Sequence, residues 1–173
     1  MIYNISIEIG AIITILGGLA MENITNLGMI NLCLSGENKE EVIKNLAMQL
    51  NETGVISDFD VYYESVLERE NLTSTGIGFG IAIPHGKTDA VSRCAVGFGR
   101  LKKSLDWLSL DNEPVKMIFL LAVPNTAAGN EHLKIIAGLS RKLMHENFRK
   151  KLEYSTNEGE IVDLINTSLN NVV

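Results

Sequence analysis

Cysteine is scarce in this sequence. Only Cys33 and Cys94 occur, and neither has a CxxC partner or metal-ligand spacing, so nothing points to a disulfide framework or a cysteine-based zinc site. Both sit among apolar neighbours, where small buried thiols are usually found, and reduced thiols suit a reducing, cytoplasmic compartment. Histidine is nearly as rare. His85, His132 and His145 are the three present, no two of them stand at a ligand spacing, and no metal or other cofactor is expected. A surplus of basic charge is missing too: 15 Lys and Arg are outweighed by 21 Asp and Glu, for a net charge of −6. The broad electropositive surface of a non-specific nucleic-acid binder is therefore not expected. Nor is there a convincing membrane span. The run from Ile5 to Ala20 is short for a bilayer and is interrupted by Glu8 and by Gly17-Gly18. No basic residue precedes it, which argues against a secretory leader. An extra strand, a swapped arm and a start at Met21 all fit this run, and the first twenty residues are expected to carry no chemistry.

What the chain does have is apolar material in regular patterns. At 173 residues and 46% hydrophobic content, one domain with a single packed core is expected. Asn38 with Glu41 reads as a helix N-terminus, and Val42, Ile43, Leu46, Ala47 and Leu50 fall on one face before Gly54 stops the helix. A second helix is expected from Ser57 to Arg69, with Phe59, Tyr62, Tyr63, Val66 and Leu67 at helical spacing. From Leu72 to Lys87 the periodicity gives way to glycine-punctuated sequence suited to turns and to close backbone approach. Cys94 to Leu101 reads as a strand. Val115 to Val123 is an unbroken apolar run of strand length, expected to be a central strand buried on both faces, with Asn112-Glu113-Pro114 turning into it. Helices are expected from Asn130 to Met144, around Phe148 and Leu152, and from a cap at Asn157 through Leu169. The order predicts an α/β domain, a three-layer α/β/α sandwich with a central mixed β-sheet between helices.

Among the histidines, His85 has the most informative setting. Pro84 fixes the backbone before it, Gly86 leaves space after it, and the apolar Ile81-Ala82-Ile83 leads up to it. An imidazole presented this way, titrating near neutrality, can accept a phosphoryl group and release it again; it can equally be a loop histidine hydrogen-bonded for structure. Local pattern leaves both readings open. His132 falls in the expected first turn of a helix, where unpaired backbone N–H groups and the dipole favour an anion, or it is simply a polar residue near a helix start. His145 closes the same helix and receives no function. Gly86-Lys87-Thr88 imitates the end of a nucleotide-binding P-loop, but the required first glycine is Ile81, a proline interrupts the loop, and a strand rather than a helix follows. No nucleotide is expected.

Several segments together carry a family resemblance. Glu68-Arg69-Glu70, then Ser74-Thr75-Gly76-Ile77-Gly78 through Gly80-Ile81-Ala82-Ile83-Pro84-His85-Gly86, then Glu131-His132-Leu133, resemble the enzyme IIA domain of the fructose–mannitol family (type 2) of the bacterial phosphotransferase system. The similarity spans roughly Ile24 to Leu169, so the domain is expected over 23–173, with 1–22 as an extension. Leu105-Asp106-Trp107, Leu110-Asp111, Ser140 to Met144 and Glu146 to Arg149 are most similar to the fructose branch. The resemblance implies that His85 takes a phosphoryl group from the phosphohistidine of the carrier HPr and gives it to a cysteine of enzyme IIB. It implies that His132 lies beside His85 and hydrogen-bonds the phosphoryl oxygens, that the Arg69 guanidinium pairs with them, and that Thr75 and the following glycines shape the pocket. No metal or nucleotide is implied, the membrane enters only through the transporter, and the nitrogen-related regulatory branch of the family is the alternative.

Overall fold

The computed structural model describes residues 23–127 and 131–169, the side chains of 131 and 132 excepted; the run from Ile5 to Ala20 lies outside them. A 3-10 turn (Leu27–Met29) leads into β1 (Ile30–Leu34), α1 (Lys39–Glu52) and α2 (Phe59–Leu72). Three short strands follow, β2 (Gly76–Gly78), β3 (Ile81–Ala82) and β4 (His85–Thr88), and then two long ones, β5 (Ala95–Leu105) and β6 (Val115–Pro124). Helices α3 (Glu131–Leu143), α4 (Glu146–Tyr154) and α5 (Glu158–Leu169) complete the order.

The helix ends follow their capping chemistry. Asn38 Oδ1 accepts from Glu41 N at 2.9 Å, and the Glu41 carboxylate accepts in return from Glu37 N at 2.9 Å, satisfying donors that the first turn leaves over. Gly54, at φ +76°, takes the left-handed position that ends α1. α2 begins at Phe59, two residues after the Ser57 start that the spacing suggested. Asp58, not Ser57, is the cap, accepting from Val61 N at 3.2 Å, because both donors of Ser57 are given to the Ala90 carbonyl. Asn157 caps α5 as expected, its side-chain oxygen accepting from Gly159 N at 2.9 Å.

The six strands form one mixed sheet in the order β1-β5-β6-β3-β2, with β4 also pairing with β6. β5 runs antiparallel to β6, and β1 lies parallel on the far side of β5. The other side of β6 receives β3 and then β4, both parallel, and β2 folds back antiparallel onto β3. Side chains alternate along β6. Ile118, Leu120 and Ala122 pack with Val42, Ile43, Leu46 and Leu50 of α1 and with Tyr62 and Val66 of α2. Met117, Phe119, Leu121 and Val123 pack with Ile135, Leu139 and Leu143 of α3, with Leu152, and with Ile161 and Ile165 of α5. Both faces are therefore covered, as the unbroken apolar run required, and the fold is a three-layer α/β/α sandwich. Each such fully buried aliphatic side chain contributes about 1.5–3 kcal/mol.

The cysteines differ from expectation. Cys33 is exposed and Cys94 only partly buried; Cys33 lies on β1, the outermost strand of the sheet. Strands β1 to β4 also had no sequence assignment. Three of them lie in the glycine-rich stretch from Leu72 to Lys87, where runs of two to four residues leave no period to read.

Candidate functional site

His85 opens β4, and the chain around it is tightly held. Its backbone is level with Leu121 of β6, and Leu121 N donates to the Pro84 carbonyl at 3.0 Å. On the opposite face of the sheet, the Tyr62 hydroxyl donates to the Leu121 carbonyl at 3.0 Å, tying α2 to the sheet at the same level. Complete burial pushes the Tyr62 pKa far above its ordinary value, so the phenol stays neutral and a donor. Gly86 explains why α2 can come so close. A Cβ there would lie 2.8 Å from Val66 Cγ2 and closer still to the Ser65 hydroxyl, so only glycine lets helix and strand touch.

Alternation along β4 sends Gly86 and Thr88 toward α2 and leaves half-buried His85 and exposed Lys87 on the other face. The His85 ring is oriented in part by the backbone: Nδ1 lies 3.0 Å from the Ile83 carbonyl oxygen. A carbonyl can only accept, so Nδ1 carries the proton and the neutral ring holds its lone pair on Nε2. This is the tautomer that a nucleophilic Nε2 needs.

Arg69 sits in the last turn of α2, where Nη1 donates to the Thr73 carbonyl at 3.0 Å. That single bond leaves most of the guanidinium fork for other partners. The chain then crosses to β2, which runs beside β3. Gly76 pairs with Ala82, and the Thr75 carbonyl accepts from Ile83 N at 3.0 Å. Thr75 is buried, and its hydroxyl donates to Glu70 Oε2 at 2.5 Å. Its proton is thus committed inward; what Thr75 offers the site is a fixed backbone.

His132 lies in the first turn of α3. That helix covers the sheet face on which His85 stands, and Ile135, one turn further, is buried with Ile83, Leu121 and Val123. His145 is exposed at the N-cap of α4 and makes no capping bond. Lys87, met in the sequence as part of a false P-loop, lies on a strand and not before a helix. Sequence reasoning overlooked Glu70, which is buried. It stands four residues after Val66 and eight after Tyr62 on the buried face of α2, and an acid in that register was a readable signal.

Compared with known proteins, residues 23–168 match the family model of the phosphoenolpyruvate-dependent sugar phosphotransferase system, EIIA 2. The chain belongs to this family. Being an EIIA type 2 protein, it is a phosphotransferase component that works through a phosphohistidine, not a free-standing enzyme. The PTS system fructose-specific EIIA component of Haloferax volcanii is 39% identical over 145 residues, covering 84% of this chain and 94% of that protein. The crystal structure of the nitrogen regulatory protein IIA-Ntr from Neisseria meningitidis superposes with a TM-score of 0.75 at 30% identity, over 82% of this chain and 96% of that one. An Escherichia coli structure of enzyme IIAMTL in complex with phosphorylated enzyme IIBMTL matches with a TM-score of 0.70 at 25% identity, over 82% of this chain and 96% of the matched chain. EIIA domains of this family pair with EIIB domains. Among the described residues, no helix is long and apolar enough to cross a membrane.

Proposed function

We propose that this EIIA protein carries phosphate on His85 Nε2 from phospho-HPr to a cysteine of enzyme IIB in sugar uptake, with fructose as the sugar and the cytoplasm as its location. The observation that carries the reading is the bond from His85 Nδ1–H to the Ile83 carbonyl. In the first step the Nε2 lone pair attacks the phosphorus of the donor phosphohistidine, a P–N bond forms here, and the donor P–N bond breaks, returning its electron pair to the donor imidazole. In the second, the thiolate of enzyme IIB attacks the same phosphorus and the electron pair of the breaking P–Nε2 bond returns to His85. Transfer of this kind depends on in-line placement and on charge compensation. Arg69 supplies a guanidinium fork for the phosphoryl oxygens, and His132 a further donor from the first turn of α3. Thr75 and the glycines after it hold the pocket's backbone. Nothing in the sequence requires a metal, nucleotide or other cofactor. Residues 23–173 form the phosphocarrier domain in this reading, and 1–22 an extension.

Incubation with phosphoenolpyruvate, enzyme I and HPr is expected to place one acid-labile phosphate on the protein, and His85→Ala to abolish it. Equal labelling of the variant overturns the assignment. A second reading, phosphorylation of the same histidine to control partner proteins rather than transport, is favoured by the likeness to the Neisseria regulatory structure. Transfer onward to a cognate enzyme IIB separates the two, since a purely regulatory protein finds no acceptor there.

A further inference from the structure

The carboxylate of Glu70 is an expensive group to bury, and its side chain is only 2% exposed. Three donors converge on it. The Thr75 hydroxyl reaches Oε2 at 2.5 Å, the Thr75 backbone N–H lies 3.3 Å from both oxygens, and Lys39 Nζ reaches Oε1 at 3.2 Å. Lys39 retains 21% exposure, so its ammonium stays partly hydrated, whereas the two Thr75 donors are inside the fold. The carboxylate therefore does more for Thr75 than for the lysine.

From Thr75 the bonds continue toward the reactive ring. The Thr75 carbonyl accepts from Ile83 N at 3.0 Å, and the Ile83 carbonyl accepts from His85 Nδ1 at 3.0 Å. Each link is separated from the next by a saturated Cα, so the path transmits position rather than charge. β3 is held on its other side by β6, whereas β2 has β3 as its strand partner and is too short to hold that register by itself. With three residues in β2 and two in β3, the two gain little from their mutual ladder bonds, and their pairing shifts at Gly78. An anchor outside the ladder fixes β2 against the segment that carries the Ile83 carbonyl.

We propose that Glu70 is a positioning residue for His85: by clamping Thr75 it sets the β2–β3 register that offers the Ile83 carbonyl to Nδ1, and so keeps the lone pair on Nε2. The inference rests on reading His85 as the phosphoryl acceptor, but its first readout does not depend on any phosphate donor. With histidine labelled by heavy nitrogen and the signal assigned by its loss in His85→Ala, long-range nitrogen–proton correlation reports the tautomer of the neutral His85 ring. The wild type is expected to give Nδ1–H. Glu70→Ala and Thr75→Val are expected to give a mixture with Nε2–H, whereas Glu70→Gln, whose amide oxygen still accepts from the Thr75 hydroxyl, recovers the wild-type tautomer. Phosphorylation by phospho-HPr is expected to slow by about 10- to 100-fold in Glu70→Ala and Thr75→Val, in kcat and not in the KM for the donor, because the ring is misplaced while the docking surface is untouched.

Wild-type tautomer and wild-type rate in both Glu70→Ala and Thr75→Val overturn the proposal. If Glu70→Ala does not fold, Thr75→Val decides, since it removes one hydroxyl at nearly constant shape; an unchanged tautomer there is equally fatal. If wild-type protein takes no phosphate from HPr, the transfer reading falls, and the tautomer comparison still decides the role of Glu70.

Discussion

Two side chains, His85 and Asp111, owe their behaviour to backbone groups. His85 is oriented by the carbonyl of Ile83. Asp111, in the loop before β6, accepts from the N–H of Glu113 at 3.1 Å and from the N–H of Phe79 at 2.9 Å. These donors, Glu113 first, hold the Asp111 carboxyl below its ordinary range, because they bond best to the charged form. The Phe79 bond has a structural use: Gly78, Phe79 and Gly80 all have positive φ, at 96°, 57° and 72°, and a phenylalanine in that region costs free energy that must be offset. Arg149 helps, its guanidinium carbon 4.3 Å from the centre of the Phe79 ring. A carboxyl with a depressed pKa in the folded state adds stability that is present above its unfolded value and is lost as pH falls through the folded one. Urea titrations between about pH 6 and 2 are thus expected to show a shallower acid limb for Asp111→Asn than for wild type.

At the scale of elements, the contact of α2 with β4 decides whether the site is built. Gly86→Ala puts a methyl group into space held by Val66 and Ser65, with an expected loss of about 1–3 kcal/mol and slower phosphorylation, read from the urea midpoint and from the HPr assay. A variant as stable and as active as wild type would show that the helix can retreat at no cost. The same contact explains what was legible beforehand. The helices could be read because Asn38, Asn157 and the i, i+4 apolar rows act within a few residues of themselves. β6 could be read from its apolar run. The strands β2, β3 and β4 are formed by partners distant in sequence, Gly80 with Lys116 and His85 with Leu121, so no local pattern encodes them. His85 was picked out by its neighbours Pro84 and Gly86. Glu70 passed unnoticed because a charged residue among Glu64, Glu68 and Arg69 reads as solvated surface until its helical phase is counted. The helix start expected at Ser57 differs from the structure because the bond of Ser57 to the Ala90 carbonyl is likewise long-range.

For the whole molecule, the match to the family begins at residue 23, and the described chain is fastened from there on. The Thr25 backbone exchanges two bonds with the Asn166 side chain on α5, at 3.2 and 3.1 Å, closing the fold from its first described residues to its last helix. Removal of residues 1–22 is accordingly expected to leave the melting temperature and phosphate acceptance unchanged; a drop in either would give that segment a part in the domain. The sheet itself is lopsided in a way that matters for its kinetics. β6 has a bonded neighbour along both sides, β5 on one and β3 then β4 on the other, whereas β4 pairs with β6 alone. In deuterated buffer, the amides of β6 are expected to exchange last, through global unfolding only, and those of Gly86 and Lys87 much sooner, through local opening. The strand that bears His85 would then breathe against a rigid backstop, with room to adapt at that edge without loosening the domain.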